Sequence, residues 1–211
     1  MQTITLISTL HEEKGNCNAE ELCRIIEKLS PEIVFLEALE DTYKAYDAQR
    51  FISYGVYHDK LEIKALQYYN QNASFDYVPV LDDGLTDAFH NKFSLVCKNH
   101  EYQILIDNYN SLASYNGFRF LNSIESTNLQ DEMRKFESLY LDGSEIEIEF
   151  NNSIDIYENT MIANIYSYCK NNHFNSAIFL CGVAHRKSII EKIEKNQSTE
   201  EIKVSWEFFE E

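Results

Sequence analysis

Residues 177–186 read AIFLCGVAHR, an unbroken apolar run that passes through one glycine and two small spacers to a histidine followed at once by an arginine. A run with no alternating polar position predicts a strand covered on both faces, as in a parallel sheet packed under helices. TITLIS at 3–8 and IVFL at 33–36 have the same character. Between them, Asn18 with Glu21 three residues later has the form of a capping box, and Leu22, Ile25, Ile26 and Leu29 recur at helical spacing. Pro31 ends that helix, because the residue before a proline is pushed out of helical geometry. Strand, helix, strand in this form is a βαβ unit, and it sets the expectation for the rest of the chain.

The pattern recurs. A helix carrying Leu61, Ile63, Leu66 and Tyr69 leads to the strand YVPVLDD, where Pro79 argues for an edge or a bulge. Residues 84–141 are aromatic-rich and helical without a recognisable buried strand, and read as a helical insertion or cap. SEIEIEF, at 144–150, alternates glutamate with apolar residues and predicts an edge strand. A helix from about 156 to 168, the opening strand, a helix from about 187 and a strand at IKVSWEF complete the chain. The expected class is α/β: a mixed, largely parallel central sheet flanked by helices, with a cap in the middle, in one domain over residues 1–211.

Eighteen Lys and Arg against 35 Asp and Glu give a formal charge of -17, which repels phosphate backbones and anionic lipid heads and excludes nucleic acid as a partner. The opening MQTITLISTLHEE lacks the basic start and long apolar core of a secretory signal, and no run reaches the length of a membrane span. A cytoplasmic protein that engages no membrane is expected. Five cysteines with no C-x-x-C pair suggest neither a disulfide framework nor a zinc ribbon, and Cys181 reads as core packing rather than as a nucleophile.

Two apolar strands end in the same way. Ser8-Thr9-Leu10-His11 closes the first, and Gly182-Val183-Ala184-His185 closes the strand AIFLC. Ligands of α/β sheets collect beyond the carboxyl ends of the strands, so His11, Glu37, Asp82 and His185 are directed to one edge. Two imidazoles and two carboxylates form a donor set suited to Mn, Co, Zn or Fe, and such a cation generates a nucleophilic hydroxide near neutral pH. His58, His90, His100 and His173 have no matched counterpart and read as surface groups.

With these residues in hand, the sequence resembles the superfamily that groups erythromycin-esterase-like, ChaN-like and TraB/Tiki proteins. STLH and GVAH look like its paired GxxH elements, IVFLEA like its glutamate-bearing strand, and LEIKALQYY like its helix with an early glutamate. VPVLDD resembles the strand ending in an aspartate, and YENTMIANI the segment usually headed by an arginine with a methionine four residues on. Ser8 stands where that pattern has glycine, and Tyr157 stands where it has arginine, with Met161 in place. The resemblance implies a site of two histidines and nearby carboxylates at one edge of the sheet. Known members include esterases, metal-dependent proteases and a haem-binding protein.

The expected activity is metal-dependent hydrolysis of an ester or peptide bond in a small-molecule or peptide substrate. His11 and His185 serve as ligands or as the acid/base pair, and Glu37 and Asp82 complete the shell. Glu62 orients a ligand or acts as general base, Glu12 is a further candidate base, and Arg186 is the candidate for the cation that Tyr157 does not supply. A second reading is a non-catalytic protein binding a metal, haem or small ligand in the same cleft, which Tyr157 favours. A third is an interaction module for a protein partner or a homo-oligomer, with Tyr102, Tyr109, Tyr115, Phe118 and Phe120 as its contact face.

Overall fold

The computed structural model describes residues 1–39, 60–84, 87–197 and 202–210. Strands β1 (Gln2–Thr9), β2 (Ile33–Leu39), β3 (Asp76–Leu81), β4 (Ser176–Gly182) and β5 (Val204–Phe208) form one sheet in the order β3-β2-β4-β1-β5. Every pairing is parallel, so the α/β class is observed with its sheet at the fully parallel extreme. Helices α1 (Ala19–Leu29) and α2 (Leu61–Tyr69) make the first crossovers, and α3 (Asp87–Val96), α4 (His100–Leu121) and α5 (Ile124–Leu141) form the cap. The long α6 (Glu145–Asn171) returns the chain to the sheet, and α7 (Arg186–Gln197) leads to β5.

The interior strands β1, β2 and β4 are mostly buried because both their faces are covered. On β4, Ile178 and Leu180 join the core beneath α1, α2 and the cap, while Ala177, Phe179 and Cys181 join the core beneath α6 and α7. Asn18 caps α1 by accepting from the Glu21 amide at 2.9 Å, and the helix closes at Ser30 in the left-handed region before Pro31. Pro79 lies in β3, an edge strand, where its missing N–H costs no ladder hydrogen bond.

SEIEIEF is not a strand. It opens α6, with Ser144 accepting from the Glu147 amide at 3.3 Å and the Glu147 carboxylate reaching back to the Gly143 amide at 2.9 Å. This reciprocal cap, an S-x-x-E pattern visible in the sequence, outweighs a period-two alternation that nothing in the sheet uses. Four of the five aromatics considered as a contact face, Tyr102, Tyr109, Phe118 and Phe120, are buried, and Tyr115 is exposed. Among the described residues no helix is long and apolar enough to cross a membrane.

One buried side chain ties the cap to the sheet. Asn122, at the end of α4, accepts from the Ser8 amide at 2.8 Å and donates to the Ser8 carbonyl at 3.1 Å, so it extends the end of β1 as a neighbouring strand would. Its carbonyl oxygen also accepts from Arg186 at 2.9 Å, and its amide donates to the Phe118 carbonyl at 2.9 Å. Every hydrogen-bonding position of this side chain is used. We predict that Asn122→Ala, which strands a strand-end amide and a buried guanidinium, lowers unfolding stability by about 3 kcal/mol in a urea titration, without changing the circular dichroism of the folded protein.

Candidate functional site

Strands β1 and β4 lie side by side with Thr9 opposite Gly182, so the segments leaving them, which carry His11 and His185, emerge together. β2 pairs with β4 on its other side and delivers Glu37 between the two. After Gly182 the chain makes one turn of 3-10 helix, Val183–His185, and enters α7 directly, which fixes His185 against the sheet. The Leu61 amide donates to the His11 carbonyl at 3.0 Å and so docks the first turn of α2, with Glu62, against the His11 loop.

The two imidazoles are held in matching ways. His11 Nδ1 lies 3.0 Å from Glu62 Oε1, and His185 Nδ1 lies 2.9 Å from Glu158 Oε1. Both glutamates are buried. Donation from Nδ1 to a carboxylate leaves Nε2 of each neutral ring with its lone pair outward, and both Nε2 atoms face one oxygen. They stand 3.8 Å (His11) and 3.6 Å (His185) from Glu37 Oε1, too far for direct hydrogen bonds. That oxygen accepts from the Tyr157 hydroxyl at 2.9 Å, and Oε2 accepts from the Gly182 amide at 2.6 Å.

Thr9, the last residue of β1, donates its hydroxyl to Glu62 Oε1. Glu62 Oε2 is buried and has no hydrogen-bond partner among the described residues. The glycine of GVAH serves close approach rather than backbone freedom. A Cβ on Gly182 would stand 3.1 Å from His11 Nε2 and 3.2 Å from Glu37 Oε2.

Charge follows this geometry. The hydrogen bond to Glu62 raises His11 above the ordinary histidine value against the opposing effect of burial, and the charges of Glu62 and Glu37 add to the rise. Burial alone would raise Glu37, but the charges of His185 and His11, the Gly182 amide and the Tyr157 hydroxyl outweigh it and hold the carboxyl below its usual range. Burial pushes the Cys181 thiol well above the ordinary cysteine range, with the charge of Glu37 adding to it, so this residue is packing and not a nucleophile.

The centre opens into a cavity of about 750 Å³ between the strand ends and the cap. One face of α5 lines it at helical spacing: Gln130, Met133, Arg134, Glu137, Ser138 and Leu141. Phe89, Phe93 and Phe150 supply an aromatic wall. Glu137 pairs with Lys92 and accepts from Tyr102, so a polar cluster joins α3, α4 and α5 within the lining.

The structure sorts the expected residues. His11, His185, Glu37, Glu62 and Tyr157 come together. Asp82 does not join them: it is exposed at the end of the edge strand, accepts from Asn164 at 2.9 Å and does not line the cavity. Its strand is separated from β1 by two others, so it cannot share the edge of β1 as a strand-end rule alone suggests. Glu12 is exposed in the loop after β1 and likewise does not line the cavity.

Arg186 points into the polar knot at Asn122, Ser8 and the Phe209 carbonyl, where Ser8 Oγ accepts from it at 3.2 Å. It is therefore not the cation of the centre, and serine in place of glycine at position 8 gains a role in holding it. His90, His100 and His173 are exposed, and His58 lies outside the described residues.

Among the described residues no three His, Cys, Asp or Glu side chains are placed to hold one metal ion. The donor chemistry of His11, His185 and Glu37 suits a cation, but the expected four-membered shell is not assembled. The chain matches no family model, no curated protein and no solved structure.

Glu158 and Thr9 were not anticipated. Glu158 adjoins Tyr157 on α6, and its signal was a carboxylate inside an otherwise apolar helical face beside Met161 and Ile162, all of them buried. Thr9 is a strand-end hydroxyl with no pattern to mark it.

The Glu62 contact yields a titration test. Replacing Glu62 by Gln keeps the shape and removes the charge, so His11 should titrate at lower pH, followed by its ring proton signals in NMR. Because the folded value of His11 is raised, the contact stabilises the protein fully below the unfolded histidine value and loses that contribution as pH rises through the folded value. The stability gap between wild type and Glu62→Gln should therefore be widest in mildly acidic solution and shrink towards alkaline pH. A gap that grows with pH contradicts the assignment.

Proposed function

We propose that this chain is a hydrolase of ester or amide bonds, with two histidine–glutamate dyads acting as the acid/base pair on either side of Glu37. The observation that carries this reading is the convergence of both Nε2 atoms on one carboxylate oxygen while both Nδ1 atoms are anchored to buried glutamates. Each Nδ1 contact fixes ring orientation and strengthens the base at Nε2, the arrangement general acid–base catalysis requires. The His11 side chain retains 43% of its exposure, so water and substrate reach it.

In the proposed reaction, neutral His11 Nε2 takes a proton from water as the oxygen attacks the carbonyl carbon. His185, entering with a proton on Nε2, gives it to the departing alcohol or amine as the carbonyl–heteroatom bond breaks. One proton has then passed from His185 to the product and one from water to His11, and exchange through solvent restores the pair. Glu37 lies close enough to both rings to stabilise whichever is charged. The resemblance to the superfamily with paired GxxH elements supports the same placement of His11 and His185.

No step is routed through a metal. Metal analysis of the purified protein decides this point: activity in metal-free protein supports the dyads acting alone. Activity abolished by chelation and restored by Mn, Co, Zn or Fe replaces this mechanism with the metal-dependent one. A protein that binds metal, haem or a small molecule and hydrolyses no ester or amide fits the binding reading instead.

Raising His11 delays appearance of its neutral form, so the ascending limb of kcat/KM against pH should lie above the ordinary histidine value of about 6.5. Glu62→Gln should move that limb to lower pH and reduce kcat by about 10- to 100-fold. His11→Gln and His185→Gln should each abolish measurable turnover of a p-nitrophenyl ester, whereas Asp82→Asn and Glu12→Gln should retain wild-type rates. Wild-type rates in either histidine variant would refute the proposal.

A further inference from the structure

The cavity lining has cationic groups that the acid/base centre does not use. Among the described residues, each of the five carboxylates lining it has a hydrogen-bond or ion-pair partner. Glu37 lies between the two histidines and accepts from Tyr157 and Gly182. Glu158 accepts from His185 and Ser188, and Asp155 pairs with Lys192. Glu137 pairs with Lys92, and Glu147 accepts from the Gly143 amide at 2.9 Å and from Ser138.

Two of the cations lining the same cavity, Lys14 and Arg134, form no ion pair among the described residues. Arg134 donates to the carbonyl of Ala184, the residue before His185, so its guanidinium is held beside the turn that carries the second histidine. A guanidinium has five N–H donors in one plane, and a single carbonyl leaves most of them available. Arg134 and Ala184 are both exposed, so this guanidinium lines the cavity with donors that solvent and a ligand can reach.

The other wall is apolar. Phe89 and Phe93 are tilted against each other at 4.6 Å between ring centroids, and Phe89 is stacked with Phe150 at 6.0 Å. Met133, one position before Arg134 on α5, is buried in the same lining. An aromatic wall with one planar cation at its mouth selects for an apolar body and an oxygen-rich anionic head. A volume of about 750 Å³ is that of a small-molecule pocket rather than of a groove for an extended polypeptide.

From these observations we infer that the cavity takes a small amphipathic carboxylate, seating its head on Arg134 and its apolar body against Phe89, Phe93 and Phe150. The inference deepens the hydrolase reading, on which it rests for the role of that ligand: the carboxylate is the acid released by hydrolysis, or a free acid carried by the substrate beside the cleaved bond. Arg134 is on this account a substrate-positioning residue, and amide bonds within long peptides are not its targets.

Calorimetric titration of the full chain with decanoate, decanol and decyltrimethylammonium tests the assignment without turnover. Decanoate should bind most tightly, with affinity falling about fourfold for each methylene removed in the octanoate and hexanoate series. Arg134→Gln should weaken decanoate by about tenfold or more and leave decanol unchanged, and Arg134→Lys should recover part of the loss. The side chain is exposed, and an unchanged thermal melting curve shows that the variant folds.

Equal binding of decanoate and decyltrimethylammonium, an unchanged Kd in Arg134→Gln, or no binding of decanoate at all would overturn the inference. Decanoate binding that depends on Arg134 in a protein with no esterase activity would sustain this ligand class and sink the hydrolase reading. Esterase activity with no dependence on Arg134 would do the reverse.

Discussion

A carboxylate buried beyond the carboxyl ends of three strands organises this molecule. Glu37 lies near the carboxyl end of β2, an interior strand of the sheet, where an ionised group without partners would cost several kcal/mol. The surrounding chain supplies those partners from several directions: an amide from the end of β4, a phenol from α6, and imidazoles from the segments that leave β1 and β4. The two imidazoles in turn need their far nitrogens satisfied, which accounts for buried glutamates on α2 and α6. Alternating acids and bases, Glu62, His11, Glu37, His185 and Glu158, thus run through the strand ends as one connected network. A network of this kind is rigid only when every member is present, so its polar groups specify geometry more than they contribute net stability.

The cap completes the centre by enclosing it rather than by adding to it. Its helices bring aromatic side chains, a buried lysine–glutamate pair and, among the described residues, one cavity-lining cation with no carboxylate partner, and successive turns of α5 face Lys187, the Ala184 carbonyl and Lys92. The strand ends therefore carry the histidines and Glu37, and the inserted helices line the cavity beside them. The two meet at the histidine turn, where Arg134 from one lies against the backbone of the other.

The fold was legible because its signals are local. Apolar strands without alternation, the Asn18 cap, Pro31 and the edge-placed Pro79 each act within a few residues, and each element appears where its pattern lies. SEIEIEF misled because two local signals compete there, and the cap from Ser144 prevails over the alternation. The site was legible in part for the same reason. Strand-end residues identify His11, Glu37 and His185, since topology carries them to one edge. Asp82 fails the same rule because strand order, which no local pattern encodes, puts two strands between β3 and β1. Glu158 acts across the sheet from the interior of a 27-residue helix, and Arg186 is claimed by an asparagine 64 positions away. Partnerships of that span are visible only in three dimensions.

The strand order has a further consequence, for how the chain acquires its form. β1 is flanked by β4 and β5, so both of its edges are completed by the last strands to be made, and Thr9 meets the Cys181 carbonyl across 172 positions of sequence. β2 and β3 can pair early, but TITLIS keeps two bare ladders of amides and carbonyls until residues beyond 176 emerge. Such long-range parallel pairing is slow, and an exposed apolar strand is a site of wrong association while it waits. The helical insertion lengthens that wait. Closure of the β1–β4 seam is also the event that brings the two histidines together, so the centre comes into being at the step that ends the exposure.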